Sequence, residues 1–95
     1  VDLVLALALV HHLAISNNVP LETLAQFFSQ ICENLIIEFV PKSDSQVQRL
    51  ILSRKDIFDR YTVSGFKAAF SQKFDIIEEV PLVDSERIIY LLKSK

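Results

Sequence analysis

The opening run, Val1-Asp2-Leu3-Val4-Leu5-Ala6-Leu7-Ala8-Leu9-Val10-His11-His12-Leu13, constrains the fold more than any other stretch of the chain. Its first half carries a single Asp and then no alternation of apolar and polar residues. That is the pattern of a parallel strand covered by helices on both faces. The run ends on two adjacent histidines. In an open α/β sheet, ligands bind outside the carboxyl ends of the strands. With a strand ending near Ala6, His11 and His12 fall just beyond that edge, and the chemistry is expected there.

The remainder reads as the rest of such a sheet. Asn17, Asn18 and Pro20 close a loop into a helix start, with Pro20 suited to the first turn and Glu22 complementing the positive helix end. From there Leu21, Leu24, Ala25, Phe28, Ile31, Cys32 and Leu35 recur at helical spacing. Leu35 to Val40 is short, rich in β-branched and aromatic residues, and stopped by Pro41, which predicts a second strand. Glu38 interrupts it near its carboxyl end. A buried carboxylate needs a partner or a ligand, so Glu38 is expected at the same rim as the histidines.

Asp44 or Ser45 can cap a segment from Gln46 to Arg54, and Thr62 a helix carrying Phe66, Ala69 and Phe70. The residue three past Thr62 is Gly65 and not Glu, so the capping box is incomplete. Phe74 to Val80, ended by Pro81, and Arg87 to Leu92 predict two more strands, and the short link between them makes an antiparallel pair.

Composition narrows the function classes. The chain has 95 residues, 51% of them hydrophobic, and a net charge of −2. That fits one small folded domain and argues against a nucleic-acid surface built on bulk charge. One cysteine allows no intrachain disulfide, and Cys32 is expected as a packed thiol of a cytoplasmic protein. The opening apolar run is shorter than a membrane span and lacks the flanks of a signal peptide, so no membrane association is expected. A chain that starts inside a strand, without methionine, is expected to be a piece of a longer protein.

The stretch Asp2 to Leu13 resembles the fourth strand of class I methyltransferases that use S-adenosylmethionine. Members of that family often show an aromatic residue, Asp, a hydrophobic strand and then a Leu-His-His-Leu-like turn. The order of the later segments is also similar, and Glu38-Phe39-Val40-Pro41 is closest to a bacterial branch of the family. The resemblance implies a Rossmann-like α/β fold with sheet order 3-2-1-4-5-7-6, of which residues 1–95 would supply 4-5-7-6, a mixed half-sheet with flanking helices. The family's glycine-rich loop and its ribose-binding acidic residue have no counterpart here, since Gly65 is the only glycine. The chain therefore reads as the C-terminal part of a methyltransferase domain without the cofactor-binding half, inactive alone.

On this reading Ala6, Leu7 and Ala8 border the methionine side of S-adenosylmethionine. The methyl acceptor is not legible. Methyl transfer asks the protein mainly to align nucleophile and methyl group, and a base helps where the nucleophile carries a proton. Histidine, with an unperturbed pKa of ~6.5, suits that role. His12 is the first candidate, His11 the second and Glu38 the third. Adjacent histidines point in different directions, so at most one of them is expected to face substrate; the alternative is that one packs under the helix as a hydrogen-bonded aromatic and the other is solvated.

Other classes are weaker. Adjacent histidines chelate poorly together, and no Gly-x-Ser-x-Gly elbow occurs. The phenylalanines fall mostly on apolar stripes and read as core. Lys42 to Asp44 and the pair Glu78-Glu79 read as solvated surface. The competing class is a non-catalytic interaction or assembly module, with self-association through the unpaired edge of the first strand.

Overall fold

A computed structural model of the protein describes residues 2–52 and 58–95. The fold is a four-stranded mixed sheet with flanking helices. The elements are β1 (Leu3–Ala6), a π-helical turn (His12–Ser16), α1 (Leu21–Ile31), β2 (Asn34–Phe39), α2 (Ser45–Leu52), α3 (Val63–Ser71), β3 (Phe74–Pro81) and β4 (Ile88–Ser94). The strands lie in the order β1-β2-β4-β3. β1 and β2 are parallel, and β4 runs antiparallel to both β2 and β3. The predicted end of the segment after Asp44, at Arg54, lies outside the described residues.

Strand alternation puts the dry side of β2 on Leu35, Ile37 and Phe39, all fully buried. In β4, Leu92 and Tyr90 stand opposite Leu35 and Ile37. α1 contributes Leu21, Leu24, Ala25 and Phe28 to the same core, and α3 contributes Phe66, Ala69 and Phe70. Phe66 is the hub of an aromatic cluster, with ring centroids 4.5 Å from Phe70, 4.9 Å from Tyr90 and 5.1 Å from Phe39. Cys32 is buried as expected, and its Sγ donates to the Phe28 carbonyl. Five of the seven phenylalanines are fully buried, while Phe27 on α1 is half-exposed.

Thr62 caps α3 by accepting from the Gly65 amide. Here the structure explains the incomplete capping box. A side chain at position 65 would run into the Arg60 carbonyl, so the place that a glutamate would occupy is closed by backbone.

β1 departs from the expectation of a strand covered on both faces. Ala6 is buried and Val4 partly so, but Leu3 and Leu5 are 50% and 61% exposed. No described element lies over that face, and β1 is an edge of the sheet. An unbroken apolar run records what a strand is suited to, not which neighbours are present. The two edges differ sharply. β3 carries an irregularity between Ile76 and Glu78, exposed Glu78 and Glu79, and a terminal Pro81. Bulges, charges and proline are the usual means of blocking further pairing. From Leu3 to Ala6, β1 has none of them.

The open edge predicts behaviour in solution. The 95-residue chain is expected to self-associate through β1 in light scattering, and Leu5→Lys, which sets a charge on that edge, should return it to monomer. A monodisperse wild-type monomer with a high, cooperative melting temperature would count against this.

Candidate functional site at the carboxyl rim of the sheet

The carboxyl ends of β1 and β2 and the start of β4 share one rim, because β4 runs opposite to β2. β1 ends at Ala6, which is buried at 1% exposure. The chain then turns through Leu7, which is 52% exposed, and Ala8, whose φ is +53°. That is the left-handed region, which a residue with a Cβ enters at a cost. The Leu9 carbonyl then accepts from the amides of His12, at 3.0 Å, and Leu13, at 3.2 Å, and a helical turn begins. No side chain caps it.

The rim is held from the other strands. Glu38 is 8% exposed, on the face of β2 opposite Phe39. Its Oε1 accepts from the Ala8 amide at 2.8 Å and lies 3.5 Å from Nη1 of Arg87. The Arg87 guanidinium also grips Asp44 through two bonds, Nε to Oδ2 at 2.9 Å and Nη2 to Oδ1 at 3.3 Å. Asp44 accepts at the same time from the Gln46 amide, so it caps α2 as the sequence suggests. The Arg87 contact holds the Asp44 carboxyl below its ordinary range, and Asp44 in turn raises Arg87. The expectation that Asp44 is solvated surface is therefore corrected. Its side chain is 15% exposed, inside an ion pair with a residue 43 positions away. Glu78 and Glu79 are exposed as expected, and Glu79 pairs with Lys67 at 2.7 Å.

The two histidines divide as neighbours on a helical turn must. His11 is fully buried and His12 is exposed, with ring centroids 4.2 Å apart. Neither His11 ring nitrogen meets hydrogen-bond geometry with a protein partner, although the Gln46 side chain approaches it. Burial lowers the His11 pKa, and the neighbouring His12 and Arg87 lower it further. His11 is thus the packed member of the pair, and His12 the one open to a ligand. Tyr61 closes the inner wall, its hydroxyl donating to the Val40 carbonyl and its ring stacked 4.9 Å from Phe39. Burial pushes its pKa well up.

The structure brings Ala8, Glu38, His11 and His12 to one rim, as the strand-edge argument predicts. It adds Arg87 and Asp44, which sequence reasoning missed. A capping Asp and a strand-initial Arg are ordinary features, and only the fold reveals that they meet. Two concavities flank this network. One, of about 370 Å³, is walled by Ala14, Val19, Leu21, Phe58, Arg60 and Tyr61. The other, of about 540 Å³ and widely open, is walled by Ser43, Asp44, Asp84, Ser85 and Glu86. Neither is lined by His11, His12 or Glu38. Among the described residues, no group of three or more His, Cys, Asp or Glu side chains is placed to hold a metal ion, and no helix is long and apolar enough to cross a membrane.

Comparison with known proteins adds one relation. No family model and no solved structure matches the chain. The chain is similar to Nodulation protein NoeA of Rhizobium meliloti (strain 1021), at 44% identity over 89 residues. Those residues are 94% of this chain and 19% of that protein. The chain thus spans about a fifth of the relative's length.

The buried imidazole makes a pH prediction. His11 has a lower pKa folded than unfolded, so as pH falls the unfolded chain takes the proton first. Its contribution is intact above the unfolded value of ~6.5 and is lost as pH falls toward the folded value. Stability should therefore drop as pH falls below about 6.5, and His11→Phe should flatten that slope in denaturant titrations. Asp44, whose pKa is also depressed, acts in the same sense but lower down. Its contribution is present above ~3.9 and is lost only at more acidic pH. An unchanged slope in His11→Phe would show that another group governs the acid limb.

Proposed function

We propose that the chain is part of a class I methyltransferase domain and takes part in methyl transfer from S-adenosylmethionine to an acceptor. The observation that carries this reading is the sheet order β1-β2-β4-β3, with β4 alone running against the other strands. That order corresponds to 4-5-7-6 in the family that the sequence resembles. The rim just described lies where such a sheet takes its ligand.

The residues at the rim fit the cofactor as one wall of its site. Leu7 and Ala8 offer exposed apolar surface, and the Ala8 amide is already committed to Glu38. They would border the methionine side by packing, with Ala6 buried beneath them. Recognition of the ribose and adenine would fall to residues outside this chain. The cofactor supplies an activated methyl group. His12, exposed beside the turn, would take a proton from the acceptor, and the packed His11 would back its ring. Glu38 is engaged by Ala8 and Arg87 and would hold the turn rather than carry protons.

A second reading, an assembly module, draws support from the open β1 edge with its exposed Leu3 and Leu5. Calorimetry on the intact protein separates the two. S-adenosylhomocysteine should bind, and no detectable binding at millimolar ligand, a regime in which even ~4 kcal/mol of affinity registers, would overturn the methyltransferase reading. His12→Ala should lower turnover by about 100-fold or more and leave cofactor affinity nearly unchanged. Parallel loss of affinity and folded state would make His12 structural.

A further inference from the structure

We infer that Arg87, clamped between Asp44 and Glu38, is a positioning residue that decides which of the two histidines faces the rim. The helical turn carrying them has no local cap. The opening run from Leu3 to Val10 contains no Ser, Thr, Asn or Asp that would mark where a helix should begin. Its starting point is set instead from 30 positions away, by the Glu38 carboxylate on the Ala8 amide. With Ala8 held at a φ of +53°, the Leu9 carbonyl becomes the first acceptor of the turn.

The start of a helical turn fixes its phase. Successive residues lie ~100° apart around it, so moving the start by one residue redirects both rings. In the observed phase His11 is fully buried and His12 is exposed. A different phase would expose His11 and withdraw His12. Glu38 alone is a weak determinant, because a lone carboxylate at 8% exposure pays for its own desolvation. Arg87 removes that problem and ties the carboxylate to the cap of α2 through Asp44. Four segments then agree on one geometry: the turn after β1, the end of β2, the start of α2 and the start of β4. The link from His12 to methyl transfer rests on the function proposed above, whereas the choice between histidines does not.

The test is selective modification of histidine by diethyl pyrocarbonate in the intact protein, read by peptide mass spectrometry, with amide exchange alongside. In the wild type, His12 should react and His11 should be protected. In Arg87→Ala, with a cooperative melt retained, His11 should become reactive, and exchange at the His12 and Leu13 amides should quicken by about tenfold or more. Ala8→Gly added to Arg87→Ala should restore much of the protection, because glycine enters the left-handed region freely. A merely structural ion pair would give no such coupling. If Arg87→Ala does not fold, Arg87→Lys and Glu38→Gln carry the same readouts. His11 protection and exchange unchanged in folded variants, or strictly additive effects of Ala8→Gly, would overturn the proposal. Failure of S-adenosylhomocysteine to bind, with the modification pattern as expected, would overturn the methyltransferase reading and leave this one standing.

Discussion

The structure of the rim depends on one buried carboxylate. Glu38 sits one residue before Phe39 on the same strand, and alternation sends the two side chains to opposite faces. Phe39 enters the aromatic cluster, and Glu38 enters a polar one. A charge withdrawn from water is tolerable only when it is paired and hydrogen-bonded. Here the Ala8 amide and the Arg87 guanidinium meet both requirements. That demand brings the beginning of β4 and the beginning of α2 to the place where β1 ends.

Core and rim are therefore coupled through β2. The Phe66 cluster fixes the height of α3 over the sheet, and Tyr61 carries that constraint to the Val40 carbonyl at the end of β2. Val40 is followed at once by Pro41 and the segment leading to Asp44. A change that lets β2 slide would therefore register on the dry side as lost aromatic contact and on the wet side as a broken ion pair. Close packing does not yield gradually to such shifts, so the rim inherits the rigidity of the core.

Much of this was legible in the residues. The start of α1 after Pro20, the stop of β2 near Pro41 and the antiparallel pairing of β3 with β4 follow from turn chemistry, whereas the apolar stripe of α1 runs on to Leu35, past the end of the helix at Ile31. The position of Glu38 at the histidine edge follows from the cost of burying charge. Three things were hidden. The exposure of Leu3 and Leu5 depends on which elements lie nearby, and an apolar run carries no record of that. The meeting of Arg87 with Asp44 joins residues 43 positions apart, and each has an adequate local explanation. Long-range polar partners leave no periodic trace. The π-helical turn after His11 was likewise hidden, since its residues read equally well as one more helical turn.

The unequal edges of the sheet give the molecule a direction of growth. At the β3 side, charge, irregular register and proline close the hydrogen-bonding ladder. At the β1 side the ladder is left running, with a strip of leucine beside it. Such a sheet acts as a one-sided template. Any strand that joins it takes its register from Leu3 to Ala6, and a parallel recruit needs a crossover long enough to lay a helix over those leucines. Additions can therefore vary in length and content on the β1 flank, beside the rim and its histidines, while the β3 flank stays closed.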